Sequence, residues 1–321
     1  MSLTIEDIEA ARKRIEPYVV RTPLLRLQNL DQYLGCEVYV KPECMQTTGS
    51  FKLRGAMNKI LSLTDEERER GIVAASSGNH GKAVACACRM LGLKATIVLP
   101  YTVAKIKKDT IQSWGAEIVQ CDVSERFEVA EKLCRERGAS LVPPFNDEAV
   151  MAGQGTAGLE IMEQCQELDT VIVPVSGGGL IGGVSTAIKS VSPATKVFGA
   201  EPAVLPRYSS SLRAGKPVMV DKKTTIADGL VSQIPGNACF PHVAAHTDGF
   251  ADVDEDYILK GMKLLLMEGK LLCEPSSAIG IGAVLQGLLP IREKDKVCFF
   301  VSGGSVSFEQ LGILENVVIE H

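Results

Sequence analysis

The feature that most constrains this chain is a run of short apolar segments alternating with amphipathic ones. Residues 72–75, 95–99, 117–120 and 140–142 read as buried strands, and residues 79–91, 104–114 and 124–137 read as the helices between them. Strand, helix, strand at this spacing predicts a parallel sheet with right-handed crossovers. A second series follows, with strands at 170–174, 196–201 and 296–301 and helices at 180–191, 254–268 and 276–289. Pro143-Pro144-Phe145-Asn146 breaks the pattern, so the first unit ends near Asp147. Upstream, Thr4 followed by Glu6 and Asp7 marks a helix start, with Ile5, Ile8 and Ile15 as its apolar stripe. A strand at 38–40 and a helix from Ser50 through Leu61 come next, while residues 215–239 have weak periodicity and read as loop. A chain of 321 residues accommodates roughly two such α/β domains.

Open parallel sheets bind ligands beyond the carboxyl ends of their strands, and the unusual motifs of this chain lie there. Ser176-Gly177-Gly178-Gly179-Leu180 follows one strand and opens a helix. Its glycines let the backbone approach an anion closely, and a helix N-terminus offers unpaired N–H groups with partial positive charge. No G-K-[ST] accompanies it, nor does it match G-x-G-x-x-G with a fitting acidic residue, so nucleotide loops are unsupported. The bland reading is a tight glycine turn that binds nothing. Thr48-Gly49-Ser50-Phe51-Lys52-Leu53-Arg54-Gly55 puts a lysine in the first turn of a helix. Alone it reads as a solvated surface residue. Desolvated, its amine can lose its proton and attack an aldehyde. Ser76-Ser77-Gly78-Asn79-His80-Gly81 forms a second nest of donors suited to a carboxylate or a phenolic oxygen, or simply a helix cap made by Ser77 or Asn79. Val301-Ser302-Gly303-Gly304-Ser305 follows the last strand and, by itself, is a plain turn. A phosphate cradle, an activated lysine and a carboxylate nest together suit pyridoxal phosphate and an amino-acid substrate.

Composition narrows the alternatives. With 45% hydrophobic and 23% charged residues the chain can bury a substantial core. A net charge of -5 argues against a nucleic-acid surface, and no apolar run approaches the ~20 residues of a spanning helix. The start of the chain lacks a basic stretch followed by an apolar one, so no leader is expected. Ten cysteines without a C-x-x-C read as reduced, buried thiols of a cytosolic protein. His242 and His246 have helical spacing, but no glutamate beside His242 completes a zinc-protease motif.

In combination these residues resemble the fold-type II pyridoxal-phosphate enzymes, specifically the threonine/serine dehydratase and serine racemase group. The resemblance covers nearly the whole chain. It runs through Arg21-Thr22-Pro23-Leu24, Ser50-Phe51-Lys52-Leu53-Arg54-Gly55, Ser77-Gly78-Asn79-His80 and Ala152-Gly153-Gln154-Gly155-Thr156. It continues through Pro174-Val175-Ser176-Gly177-Gly178-Gly179-Leu180, Ile226-Ala227-Asp228-Gly229, Glu274-Pro275-Ser276 and Ser302-Gly303-Gly304. It implies an α/β fold of two domains, each with an open, mostly parallel twisted sheet, and pyridoxal 5'-phosphate in the cleft between them. The large cofactor-binding domain would comprise residues 1–64 and 148–321, and the small substrate-carboxylate domain residues 65–147. Lys52 would carry the cofactor as a Schiff base, with Phe51 beside it. Ser176, Gly177, Gly178, Gly179 and Leu180 would hold its phosphate, Asn79 its phenolic oxygen and Ser302 its pyridine nitrogen. Ser76, Ser77, Asn79 and His80 would surround the substrate carboxylate.

The implied activity is β-elimination from a hydroxy amino acid such as L-threonine or L-serine, an ammonia-lyase reaction yielding a 2-keto acid and ammonia. The freed Lys52 amine would remove the Cα proton, and the cofactor phosphate would assist loss of the hydroxyl. Ser302 offers a hydroxyl where a carboxylate would keep the ring nitrogen protonated. The carbanion is then poorly stored, and elimination consumes it quickly. Ser77 opens an alternative, because in racemase-like members a serine at the matching position works on the ring face opposite the lysine. Interconversion of L- and D-serine would follow. Phe145 resembles the dehydratase version, in which an aromatic residue lines the substrate side. β-Replacement and a cofactor-free phosphate-ligand binding protein are the further alternatives. Many members hold a divalent cation through an acidic pair. Glu201 matches the first ligand but Arg207 stands at the second, and Glu201 as an acid at a helix N-terminus is the other reading. The expected form is the short catabolic type without a regulatory domain, a cytoplasmic homo-oligomer (dimer or tetramer).

Overall fold

The computed structural model describes residues 3–319. Ten strands form two sheets. The larger has the order β1-β2-β10-β7-β8-β9, built from β1 (Leu25–Arg26), β2 (Glu37–Pro42), β7 (Thr170–Pro174), β8 (Lys196–Pro202), β9 (Gly249–Val253) and β10 (Lys296–Val301). The smaller has the order β5-β4-β3-β6, built from β3 (Ile72–Ala75), β4 (Ala95–Pro100), β5 (Glu117–Cys121) and β6 (Ser140–Leu141). Every pairing is parallel except β1 with β2. These are two α/β units with mostly parallel sheets, as the alternation predicts. β3, β4 and β7 are buried at every residue, the mark of strands covered on both faces.

The first helix, Ile5–Ile15, starts at Thr4 with a capping box closed by Asp7, and buries Ile8, Ala11 and Ile15. The helix Lys52–Ser62 leaves β2 yet packs Leu53, Ala56, Met57 and Ile60 into the core of the smaller sheet, so it joins the two units. Residues 215–239 carry no helix or strand.

Several elements escape the sequence pattern, β9 and the helix Glu148–Gln164 among them. β9 is an edge strand with only Ala251 and Val253 buried, so it lacks the continuous apolar run that marks β3 and β7. The 17-residue helix Glu148–Gln164 is buried continuously from Val150 to Met162, so it lacks an amphipathic period, and three glycines interrupt its composition. Those glycines have a packing reason. A Cβ on Gly155 would lie 2.8 Å from the Gly183 carbonyl oxygen, and one on Gly153 would collide with the Arg54 backbone.

Beneath the Lys52 helix lies a buried ion network. Arg54 donates to Glu43 at 2.8 Å and to Glu160 at 2.6 Å, and Lys41 donates to Glu160 at 2.6 Å. Thr22 Oγ1 donates to Glu43 at 2.7 Å. Buried charges are tolerated when paired and hydrogen-bonded in this way.

Candidate active site

The order of the larger sheet decides what meets what. β10 lies between β2 and β7, so three neighbouring carboxyl ends carry Lys52, Ser302 and the glycine loop. The register aligns Val301 with Pro42. Just beyond, an isolated bridge joins Ser50 to Gly303, and the Phe51 amide donates to the Ser302 carbonyl at 3.0 Å. Lys52 is thereby tied to the end of β10.

Lys52 is the first residue of its helix, and its Nζ donates to the Pro144 carbonyl at 2.6 Å, 5.0 Å from the centre of the Phe51 ring. Burial pushes its amine from 10.5 down to about 8, against a smaller upward pull from Cys239 and Glu274. Desolvation disfavours the ammonium, and no carboxylate is close enough to restore it.

The glycine loop follows β7. Gly178 is the N-cap of the helix Gly179–Val191 with φ +100°, a left-handed conformation that favours glycine. A Cβ there would collide with the Tyr208 hydroxyl, which donates to the Gly177 carbonyl at 3.1 Å. A Cβ on Gly177 would collide with the Phe145 ring. Phe145 therefore packs on the loop. The Ser176 hydroxyl accepts from the Ser232 amide at 3.2 Å. The Gly182 amide donates to the N-cap carbonyl of Gly178 at 2.8 Å, so the amides of Gly179, Leu180 and Ile181 before it have no intrahelical acceptor.

Ser302 is 4% exposed, and its Oγ lies 3.0 Å from Ser277 Oγ. Ser277 also accepts from the Gly303 amide at 2.7 Å. The buried carboxylate Glu274 is occupied: Asn79 Nδ2 lies 3.0 Å from both of its oxygens, and the Ser305 amide donates to it at 3.0 Å. Ser305 Oγ donates to Asn79 Oδ1 at 2.6 Å, so both ends of the Asn79 amide are held across the two units.

The expected side-chain cap of the helix Asn79–Leu91 is absent. Gly78 is the N-cap, without a side-chain bond, and neither Ser77 nor Asn79 caps. Asn79 is drawn to Glu274 and Ser305 instead, and Ser76 Oγ closes a small turn by accepting from the Gly78 amide at 3.3 Å. The helix-start amides are left for another acceptor. His80 is also constrained. Its Nε2 faces the Val142 carbonyl at 2.8 Å, its buried Nδ1 has no partner among the described residues, and burial together with the Lys52 charge pushes it down to about 3. The ring is neutral with its one N–H spent on Val142, so His80 has only its main-chain N–H to offer a carboxylate.

Glu201 is fully buried on β8, accepting from the amides of Tyr208 at 3.0 Å and Ser209 at 2.8 Å. These open the helix Arg207–Ala214, which matches the reading of Glu201 as a helix N-terminal acid. Burial raises it to about 7 against the Arg207 guanidinium, whose Nε stands 3.8 Å away. Among the described residues no group of three His, Cys, Asp or Glu side chains could hold a metal.

Sequence reasoning assigned no role to Glu274, Ser277, Ser305 or Tyr208. Glu274 left a signal inside Glu274-Pro275-Ser276, and Ser305 at the end of Val301-Ser302-Gly303-Gly304-Ser305. The others are set by long-range packing.

The family model described as "Pyridoxal-phosphate dependent enzyme" matches residues 15–303. An L-threonine ammonia-lyase of Thermotoga maritima is 41% identical over 316 residues, covering 98% of this chain and 78% of that protein. A serine racemase of Oryza sativa subsp. indica is 40% identical over 316 residues, covering 97% and 92%. The solved structure of maize serine racemase superposes with a TM-score of 0.93 at 38% identity, covering 98% of this chain and 97% of that one.

Proposed function

The chain belongs to the pyridoxal-phosphate dependent enzymes, and from that premise we propose that it eliminates the β-hydroxyl of L-threonine or L-serine, releasing a 2-keto acid and ammonia. The residues present fit the cofactor: three helix-start amides without acceptors behind a glycine turn, a lysine whose amine is neutral in part near pH 8, and a buried hydroxyl at Ser302. Bound, the cofactor supplies an electron sink at the substrate Cα. Gly177, Gly178, Gly179 and Leu180 with Ser176 would hold its phosphate, Lys52 its aldehyde carbon beside Phe51, Asn79 its ring oxygen and Ser302 its ring nitrogen. Ser76, Ser77 and the amides of Asn79 and His80 would receive the substrate carboxylate.

One observation carries the choice of reaction. Lys52 is a base poised near neutrality, whereas the Ser77 hydroxyl has no basic partner among the described residues. Elimination needs one base on one face, because the departing hydroxyl removes the electrons. Racemisation needs a second proton donor opposite. The second reading, interconversion of L- and D-serine, is favoured by Ser77 itself and by relatives named serine racemase. Incubating the holoenzyme with each amino acid and measuring keto acid and D-serine separately tests both. Keto acid is expected to dominate, and D-serine with little keto acid would overturn elimination.

The reading includes a small domain at 65–147 against a large one at 1–64 and 148–321. The strands of the smaller sheet, from Ile72 to Leu141, support those bounds. It also includes a cytoplasmic homo-oligomer. All ten cysteines are free thiols, which supports a reducing compartment. No helix among the described residues is long and apolar enough to cross a membrane.

A further inference from the structure

Gln154 lies in the middle of the helix Glu148–Gln164. It is 1% exposed, and neither its amide nitrogen nor its amide oxygen has a partner among the described residues. Buried amides are almost always hydrogen-bonded, so an unpaired one calls for an explanation. Its position supplies one. The side chain passes between the two elements that would grip the cofactor. On one side its Cγ lies 3.0 Å from where a Cβ on Gly55 would stand, one turn beyond Lys52. On the other side its Oε1 lies 2.9 Å from where a Cβ on Gly179 would stand. Gly179 opens the 13-residue helix behind the glycine loop. In a helix every Cα–Cβ bond tilts toward the N-terminus, so this sets Oε1 beside the first turn of the helix, next to Phe145, whose Cβ lies 2.9 Å from the same point, and within a side chain's reach of the end where an anion sits.

We propose that Gln154 is a side-chain donor to the cofactor phosphate, adding an N–H to the free amides of Gly179 and Leu180. No bond fixes which end of its amide is nitrogen, so a half-turn of the amide points Nε2 at the anion. A neutral donor suits the place: it reaches the phosphate without adding a second cation beside Lys52, whose amine must stay deprotonatable. The proposal rests on the cofactor reading above.

Titration of the apoenzyme with pyridoxal phosphate and with pyridoxal, which lacks the phosphate, tests it. Borohydride reduction and peptide mapping follow adduct at Lys52 for both. Gln154→Leu is expected to weaken pyridoxal phosphate about tenfold or more, the worth of a hydrogen bond to a charged group, and to leave pyridoxal unchanged. The same change removes an unpaired buried amide, so the melting temperature of the apoenzyme is expected to hold or rise. Gln154→Glu keeps the size and adds a negative charge, and is expected to weaken pyridoxal phosphate further while sparing pyridoxal. Equal loss for both aldehydes, or no loss for either, overturns the proposal. A wild-type chain that forms no adduct at Lys52 with pyridoxal phosphate overturns the cofactor reading instead, and this inference with it.

Discussion

A half-buried lysine whose desolvated amine is held near pH 8 is costly to the protein that carries it, and the cost can be measured. Moving the amine from its ordinary 10.5 to about 8 is worth about 3 kcal/mol at 1.36 kcal/mol per pH unit. The sign follows from proton counting. Between about pH 8 and 10.5 the unfolded chain binds the Lys52 proton and the folded chain does not, so stability rises with pH across that window. Below it the folded protein carries the whole penalty. Replacing Lys52 by methionine, similar in shape and without charge, removes the term. The apoprotein of Lys52→Met is therefore expected to be more stable than wild type at pH 7 by about 3 kcal/mol, and the gap to close as pH approaches 10.5. Calorimetric melting of both apoproteins from pH 7 to 10.5 reads the effect. Buried thiols and tyrosines that titrate in the same range cancel in the difference between the two curves. A wild type as stable as the variant at pH 7, with no change in the gap, would refute the claim that the fold desolvates this amine.

Three further outcomes follow from the geometry. Gly178→Ala combines left-handed backbone with a collision at the Tyr208 hydroxyl, a loss of about 2–5 kcal/mol. Adding Tyr208→Phe should recover part of the melting temperature, and no recovery would show that the collision is not the cause. Glu43→Ala strips a buried carboxylate from Arg54, which should cost about 3–5 kcal/mol; an unchanged melting temperature would mean that the network contributes nothing. Ser77→Ala should lower D-serine formation from L-serine about a hundredfold more than keto acid formation, because both reactions lose one contact to the substrate carboxylate but only racemisation loses a proton-transfer group on the second face. Chiral chromatography beside the keto acid assay separates these, and equal losses would remove any separate role for that hydroxyl.

The sheet-forming segments were legible because parallel strands covered on both faces are short continuous apolar runs between turn signals. The strands at β3 and β7, like the helix Asn79–Leu91, lie where the pattern puts them. The helix Glu148–Gln164 was not legible, because burial all round erases the period on which helix reading depends. The local content of the site was also readable: a lysine in a first helical turn, and glycines between a strand and a helix. What no local pattern carries is adjacency. That β10 separates β2 from β7, bringing Ser302 between Lys52 and the glycine loop, is a property of strand order. The same limit hid Glu274 and Ser305, which reach Asn79 across 195 and 226 residues of chain. It also removes the alternative of Asn79 as a helix cap, since a tertiary partner outcompetes a local one.

The helix that the pattern missed bears most directly on the chemistry. A cofactor gripped at its aldehyde and at its phosphate has a fixed length, so the lysine and the glycine loop must be held at a fixed separation to within about half an ångström. Side-chain packing alone leaves room for rotamer adjustment, whereas backbone against backbone does not. The helix Glu148–Gln164 presents Gly153 to the Arg54 backbone and Gly155 to the Gly183 carbonyl. Two residues apart, these glycines lie on opposite sides of the helix, which thus touches the Lys52 helix on one side and the helix behind the glycine loop on the other, backbone to backbone. Small residues here set a distance rather than permit flexibility. The glycines that blurred the sequence signal are the means by which the separation is held, and Gln154, set between them in sequence, is the side chain left to reach into the space they define.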